Sequence, residues 1–146
     1  MTLEKLTQGN QGALIALMRE FYHSPAVLAP VPDAHFEATC AEILSGSPFA
    51  AAFLVRETDE NAGYAQLSFT YSNEAGGMVV WIEELYIRPA FQNRGMGRAC
   101  LEQIRARYPR AARFRLEVEP ENEAARRLYA RLGYVSLPYA QMIREE

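Results

Sequence analysis

Between Ile87 and Arg98 the chain reads Ile-Arg-Pro-Ala-Phe-Gln-Asn-Arg-Gly-Met-Gly-Arg, an apolar strand end running into a glycine-spaced turn. Gly95 and Gly97 carry no Cβ, so the backbone there can turn tightly and bring several N–H groups up to a ligand oxygen. Met96, Cys100, Leu101 and Ile104 then repeat at helical spacing, which aims the free N–H groups and positive dipole end of a helix at the same ligand. The chemistry is that of holding a phosphate. A few residues upstream, Glu83 and Glu84 stand side by side near the end of a stretch, Met78 to Ile87, that is otherwise almost continuously apolar. Two adjacent acids are conspicuous in a strand that reads as central to a sheet.

Two familiar phosphate motifs do not match. The three-glycine dinucleotide pattern is missing, and no Gly-Lys-Ser/Thr follows to hold a nucleoside triphosphate with magnesium. The pattern Gln92-x-x-Gly95-x-Gly97 after a strand resembles instead the acetyl-CoA signature of the GNAT superfamily of N-acetyltransferases. A second segment lies one strand further on: Val118-Glu119-Pro120-Glu121-Asn122-Glu123-Ala124-Ala125-Arg126-Arg127-Leu128-Tyr129-Ala130-Arg131-Leu132-Gly133-Tyr134. It resembles the other signature of that superfamily, in the order and spacing the superfamily requires. The resemblance covers Gly63 to the C-terminus, and the first third of the chain carries no such motif.

The resemblance implies acetyl-CoA as the bound cofactor, with backbone groups of Gln92, Asn93, Arg94, Gly95, Met96, Gly97 and Arg98 on its pyrophosphate. Arg94 and Arg98 would add charge-assisted contacts. It further implies that backbone groups of Leu85, Tyr86 and Ile87 pair with the pantetheine arm as an extra strand would. Asn122 would reach the cofactor from the opposite wall, although Asn122 also reads as a helix N-cap. Tyr129 occupies the family position of the acid that protonates the departing thiolate. With reference values of about 10 for a phenol and about 8.5 for a thiol, that proton donation is only mildly uphill; the alternative is that Tyr129 completes an apolar helix stripe.

The stretch Ile82-Glu83-Glu84-Leu85-Tyr86-Ile87 resembles the acidic pair of diamine and aminoalkyl acetyltransferases, in which the first acid handles the substrate amine. On that basis Glu83 is the expected base and Glu84 the second choice. Strand alternation sends the two to opposite faces of the sheet, so one of them lines the cleft. A glutamate near its reference value of about 4.3 is a poor direct base for an alkylammonium near 10, which favours relay through water and partial desolvation. The competing reading pairs both acids with nearby arginines at a strand end.

These residues need a scaffold. Leu14, Leu17, Met18 and Phe21 predict an amphipathic helix ending before Pro25, and a connection broken by Pro25, Pro30 and Pro32 follows. Asp33 is the expected N-cap of a second helix carrying Phe36, Cys40, Ile43 and Leu44 on its inner face. Segments 49–57 and 63–70 read as antiparallel strands, and the turn at Asn73 to Gly77 leads into the strand ending at Ile87. A helix from Gly95 to Tyr108 follows, then a strand in which Phe114, Leu116 and Val118 alternate with charge. Ala125, Leu128, Tyr129 and Leu132 mark a last helix stopped by Gly133. A final strand is expected from Tyr134 to about Ile143. Strand, helix, strand over residues 78–119 requires a parallel pair, whereas the earlier hairpins require antiparallel ones. The fold class is therefore mixed α/β. The resemblance makes it a GNAT-like fold, a mostly antiparallel central sheet with a splayed parallel pair and about four flanking helices. Trp81, Phe69, Tyr71 and Tyr86 read mostly as core aromatics.

With 146 residues, 49% of them hydrophobic, residues 1–146 are expected to form one domain with its own core. The net charge of −3 gives no basic field for a nucleic acid. Cys40 and Cys100 read as core thiols, and no basic-then-apolar leader or membrane-length apolar run is present, so a cytoplasmic setting without membrane contact is expected. His23 and His35 lack the spacing of metal ligands, and no metal is expected. The expected partner is a small, cationic amine. A protein N-terminus or lysine as acceptor, and a catalytically silent acyl-CoA sensor, are the alternatives. Tyr129 together with an acid at Glu83 argues against silence. The residues leave oligomeric state open; an exposed edge near the last strand is where a homodimer, common in the resembled superfamily, would form.

Overall fold

The computed structural model describes residues 1–146. The order of elements is β1 (Thr2–Lys5), α1 (Gln11–Tyr22), α2 (Asp33–Leu44), β2 (Ala50–Glu57), β3 (Glu60–Ser72), β4 (Gly77–Ile87), a 3₁₀ turn (Pro89–Phe91), α3 (Met96–Arg107), β5 (Arg113–Leu116) and α4 (Glu123–Arg131). The five strands lie in sequence order, β1 to β4 antiparallel and β4 to β5 parallel. The mixed sheet and the four helices expected from the sequence are present. β1 has no strong alternation of its own; it is recruited by pairing with β2, Leu3 opposite Val55, which buries Leu3 under α3.

Each face of the sheet has its own core. On one, Phe53, Val55, Ala65, Leu67, Val80 and Ile82 meet Met96, Cys100, Leu101 and Ile104 of α3. On the other, Leu54 and Tyr64 meet Leu14, Leu17 and Met18 of α1 and Phe36, Cys40 and Ile43 of α2. Both cysteines are free and buried, and burial pushes the Cys100 thiol up to about 12. The thiolate needed for nucleophilic chemistry is thereby suppressed.

Four local expectations are corrected. Pro32, not Asp33, holds the N-cap position of α2; Asp33 is its first residue and accepts a 2.8 Å bond from Arg19 Nε, fastening α2 to α1. β5 stops at Leu116 rather than running on to Val118, and its four residues are all half-buried. The strand expected over 134–143 does not form. Pro138 has no N–H to give a ladder, and the alternation of Val135, Leu137 and Tyr139 is lost at Ala140 to Ile143. Val135, Met142 and Ile143 are exposed, and Tyr139 anchors the segment by donating a 2.8 Å bond to Glu74. The ground for a dimer through that strand edge goes with the strand. Tyr71, expected in the core, is exposed at the β3–β4 hairpin.

Candidate active site

The parallel ladder between β4 and β5 is short: Val79, Val80, Trp81 and Ile82 pair with Arg113 to Leu116, and there it ends. Beyond Ile82, β4 continues to Ile87 paired only with β3. Leu85, Tyr86 and Ile87 thus have no strand on that side, although the Ile87 carbonyl already accepts from Gln92, and an extended chain could hydrogen-bond along this splay as a strand does. Gly63 lets β3 support this edge. A Cβ on Gly63 would stand 2.0 Å from the carbonyl oxygen of Tyr86, so only glycine fits opposite it.

Past Ile87 the chain turns through the 3₁₀ segment into the N-terminus of α3. Asn93 has φ 61° and Gly95 φ 75°, left-handed conformations of the kind from which concave nests of N–H groups are built. The first helical bond of α3 runs from Ala99 N to Gly95 O, and no backbone N–H from Asn93 to Arg98 has a backbone acceptor. Six consecutive donors facing a helix N-terminus make an anion cradle. Gly97 packs close to α4, where a Cβ would meet Leu128 at 3.5 Å.

The side chains of the cradle hold the turn itself. Gln92 donates from its amide to Ile87 O at 2.8 Å, Met96 is buried, and the Arg94 guanidinium lies 5.5 Å from the Phe91 ring centroid. Arg98 pairs with Glu102 one turn along at 3.0 Å. Asn122 Oδ1 accepts from Ala125 N at 3.1 Å, the N-cap bond of α4. The cap reading of Asn122 is therefore realised, and its amide nitrogen stays available.

The acidic pair departs from simple alternation. The β3–β4 register shifts between Gln66 and Leu67, so that Gln66 opposes Glu84 while Leu67 opposes Ile82. Glu83 is the extra residue of a β-bulge. Ile82 and Leu85 both pack on the α3 side, whereas Glu84 bonds to Tyr22 of α1 and Tyr64 of β3 on the other. Glu83 accepts from Ser68 at 2.5 Å, and Ser68 lies on the face opposite Leu67. The expectation of opposite faces is corrected: the bulge turns both carboxylates to the α1–α2 face.

Their environments differ. Glu83 is exposed and Glu84 half-buried. Each Glu84 oxygen accepts one tyrosyl O–H, Oε1 from Tyr22 and Oε2 from Tyr64, both at 2.5 Å. Burial raises the Glu84 carboxyl above its ordinary value; the two tyrosyl bonds work against that rise, and the Glu83 charge adds to it. Neither acid forms an ion pair, although Glu20 of α1 and Arg88 just beyond β4 do at 2.8 Å. The reading of the acids as partners of nearby arginines is not what the structure has.

Tyr129 lies on α4 among Phe114, Leu116 and Leu132, with Tyr134 at 5.9 Å between ring centroids. Burial alone raises its hydroxyl above the ordinary tyrosine value, with no hydrogen bond or charge contributing. It lines the groove between β5, α4 and the C-terminal segment, which none of Glu83, Glu84 and residues 92–98 reaches. The splay and the cradle are thus joined through β4, the acids sit on the α1–α2 face of the same strand, and Tyr129 stands apart from both in the groove beside α4. Tyr22, Tyr64 and Ser68, which bond to the two acids, are residues the sequence did not single out. For Tyr22 and Tyr64 the only signal is a phenol in place of a phenylalanine on an apolar face, and Ser68 carries none.

His23 Nδ1 lies 2.6 Å from Arg19 O, and no group of three or more His, Cys, Asp or Glu side chains is placed to hold a metal ion. No helix is long and apolar enough to cross a membrane.

Comparison with solved structures gives the same architecture. An integron cassette protein, HFX_CASS3, from the mobile metagenome of Cole Harbour Salt Marsh is 21% identical with TM-score 0.80, over 98% of this chain and 89% of that one. AAC(6')-Iy in complex with a bisubstrate analogue, CoA-S-monomethyl-acetylneamine, is 18% identical with TM-score 0.80, over 99% and 97%. A ribosomal-protein-alanine N-acetyltransferase from Brucella melitensis biovar Abortus 2308 is 13% identical with TM-score 0.77, over the whole of both chains. No curated protein matches the sequence. Residues 13–134 match the Acetyltransferase (GNAT) family, and the chain belongs to that family.

Proposed function

We propose that the protein transfers the acetyl group of acetyl-CoA directly to a primary amine of a small cationic acceptor. The observation that carries the cofactor is the run of six free N–H groups at α3 adjoining the free edge of β4. A pyrophosphate suits the first, and the amides of a pantetheine arm suit the second. Bound there, acetyl-CoA supplies a thioester for attack. The acceptor side rests on the acidic pair: two carboxylates on one face with no cationic side chain to offset them favour a ligand that brings positive charge.

On this reading the acids do different work, in the reverse of the order expected from the sequence, and their environments support it. Glu83, exposed and bonded only to Ser68, attracts the ammonium. Glu84, raised by burial, is the better match for receiving the ammonium proton through water, because its gap to the amine is smaller. Tyr129 donates its hydroxyl proton towards the departing sulfur and recovers one from solvent. No covalent enzyme intermediate is involved.

Thiol release from acetyl-CoA, measured against polyamines, amino acids, aminoalkyl phosphonates, aminoglycosides and N-terminal peptides, tests this reading. Saturable release with a cationic small amine is expected. Release only with peptides makes the protein a protein acetyltransferase, and coenzyme A binding without release on any amine makes it a sensor.

A further inference from the structure

We propose that Tyr22 and Tyr64 are positioning residues that clamp the Glu84 carboxylate in one orientation on the acceptor face. The inference rests on Glu84 being the acid that handles the amine. A glutamate side chain has three rotatable bonds, and one that must meet a passing ammonium or water loses time in unproductive rotamers. Here both oxygens are fixed by separate elements. Tyr22, the last residue of α1, donates to Oε1, and Tyr64, in mid-β3, donates to Oε2, each at 2.5 Å.

The rings that bear these hydroxyls are themselves locked. Phe21 stands edge-on to both, 5.3 Å from Tyr22 and 6.1 Å from Tyr64 between centroids. Phe36 of α2 backs Tyr22 at 5.3 Å, and Tyr86 backs Tyr64 at 6.2 Å. Tyr64 is fully buried. A phenol has one O–H, so each tyrosine spends its only donor on Glu84 and leaves that acid's remaining lone pairs for substrate or water. Burial, with Glu84 beside them, raises both phenols above the ordinary tyrosine value, so they remain protonated donors throughout the range in which Glu84 titrates.

The titratable and charged groups around Glu84 are few. From α1 come Tyr22 and Glu20, the latter held by Arg88; from β3 comes Tyr64; from β4 come Glu83 and Tyr86, whose hydroxyl donates to Glu20 at 3.4 Å. α2 contributes only the buried thiol of Cys40 to the same core. No cation touches Glu84, which leaves the two hydroxyls as the groups stabilising its ionised form.

The test is a ¹³C NMR titration of the glutamate carboxyl resonances in the wild type, Tyr22→Phe and Tyr64→Phe, with Glu84→Gln identifying the Glu84 signal. Removing either hydroxyl withdraws a bond to the charged form, so the Glu84 midpoint is expected to move up by about 1 to 2 pH units in each variant. Titration at the wild-type pH in folded Tyr22→Phe would overturn the inference, since a merely structural tyrosine leaves that midpoint in place. Tyr22 is the less buried of the two, so its variant carries the test if Tyr64→Phe does not fold. Thiol-release assays on Glu84→Gln separate the two claims. Full turnover there removes Glu84 from the reaction, whereas lost turnover with unmoved midpoints in the tyrosine variants removes only the clamp.

Discussion

At the scale of single residues, Tyr129 and Glu84 are both lifted by burial, with different consequences for a reaction at neutral pH. A phenol pushed up stays protonated and remains a donor; a carboxyl pushed up becomes a stronger base once ionised. Tyr129 has no bond within the chain to hold its proton, which suits the proton donation proposed for it. Tyr129→Phe keeps the ring that packs against the α3-side core and beside Tyr134 and removes only the hydroxyl. Its fold and melting temperature are expected to match the wild type, while turnover falls on the order of 10²-fold. Unchanged turnover in that variant takes Tyr129 out of the mechanism. The types of the acidic residues were legible in the sequence, but their roles were not. The role proposed for Glu84 over Glu83 rests on the bulge at Glu83 and on the hydroxyls of Tyr22 and Tyr64, which lie about 60 and 20 residues away along the chain. Bulges and long-range partners leave no periodic trace.

At the scale of elements, the site is made by a strand losing its neighbour. β4 is paired on both sides to Ile82 and on one side from there to Ile87, because the ladder with β5 is only four pairs long. The free edge is held straight by β3, and the tightest point of that support is Gly63 against the Tyr86 carbonyl. Gly63→Ala places a methyl group where backbone already stands. It is expected to destabilise the protein by about 1–3 kcal/mol and to lower Tm by several degrees. It should also weaken coenzyme A binding, since Leu85 to Ile87 must shift to relieve the clash. A variant with wild-type melting and affinity would show that the β3–β4 approach is looser than the structure has it. The helices and the central strands were readable from period and from punctuation by proline and glycine, as with Gly133, which ends α4 at φ 89°. The elements read wrongly are those whose formation depends on a neighbour. β1 exists through its ladder with β2, β5 ends where the splay begins, and the 134–143 segment has no ladder.

For the whole molecule, the two faces of one sheet divide the labour. The α3 face carries the larger apolar core and brings the cradle to the end of β4, while the α1–α2 face buries aromatic rings and presents the acids. Both ligands of a transfer reaction can therefore meet at β4 without sharing a binding surface. The claim on which this depends is the cradle, and Gly95 isolates it. A Cβ there meets nothing within 4 Å, but its φ of 75° is one a β-branched residue resists, so Gly95→Val should disturb the run of N–H groups without disturbing the core. Calorimetric titration of coenzyme A into the wild type and into Gly95→Val, with melting curves to establish that both are folded, is the most direct measurement. Saturable binding by the wild type that weakens at least about tenfold in the variant, or about 1.4 kcal/mol, is the predicted result. No binding by the wild type, or equal binding by a folded variant, would contradict the account.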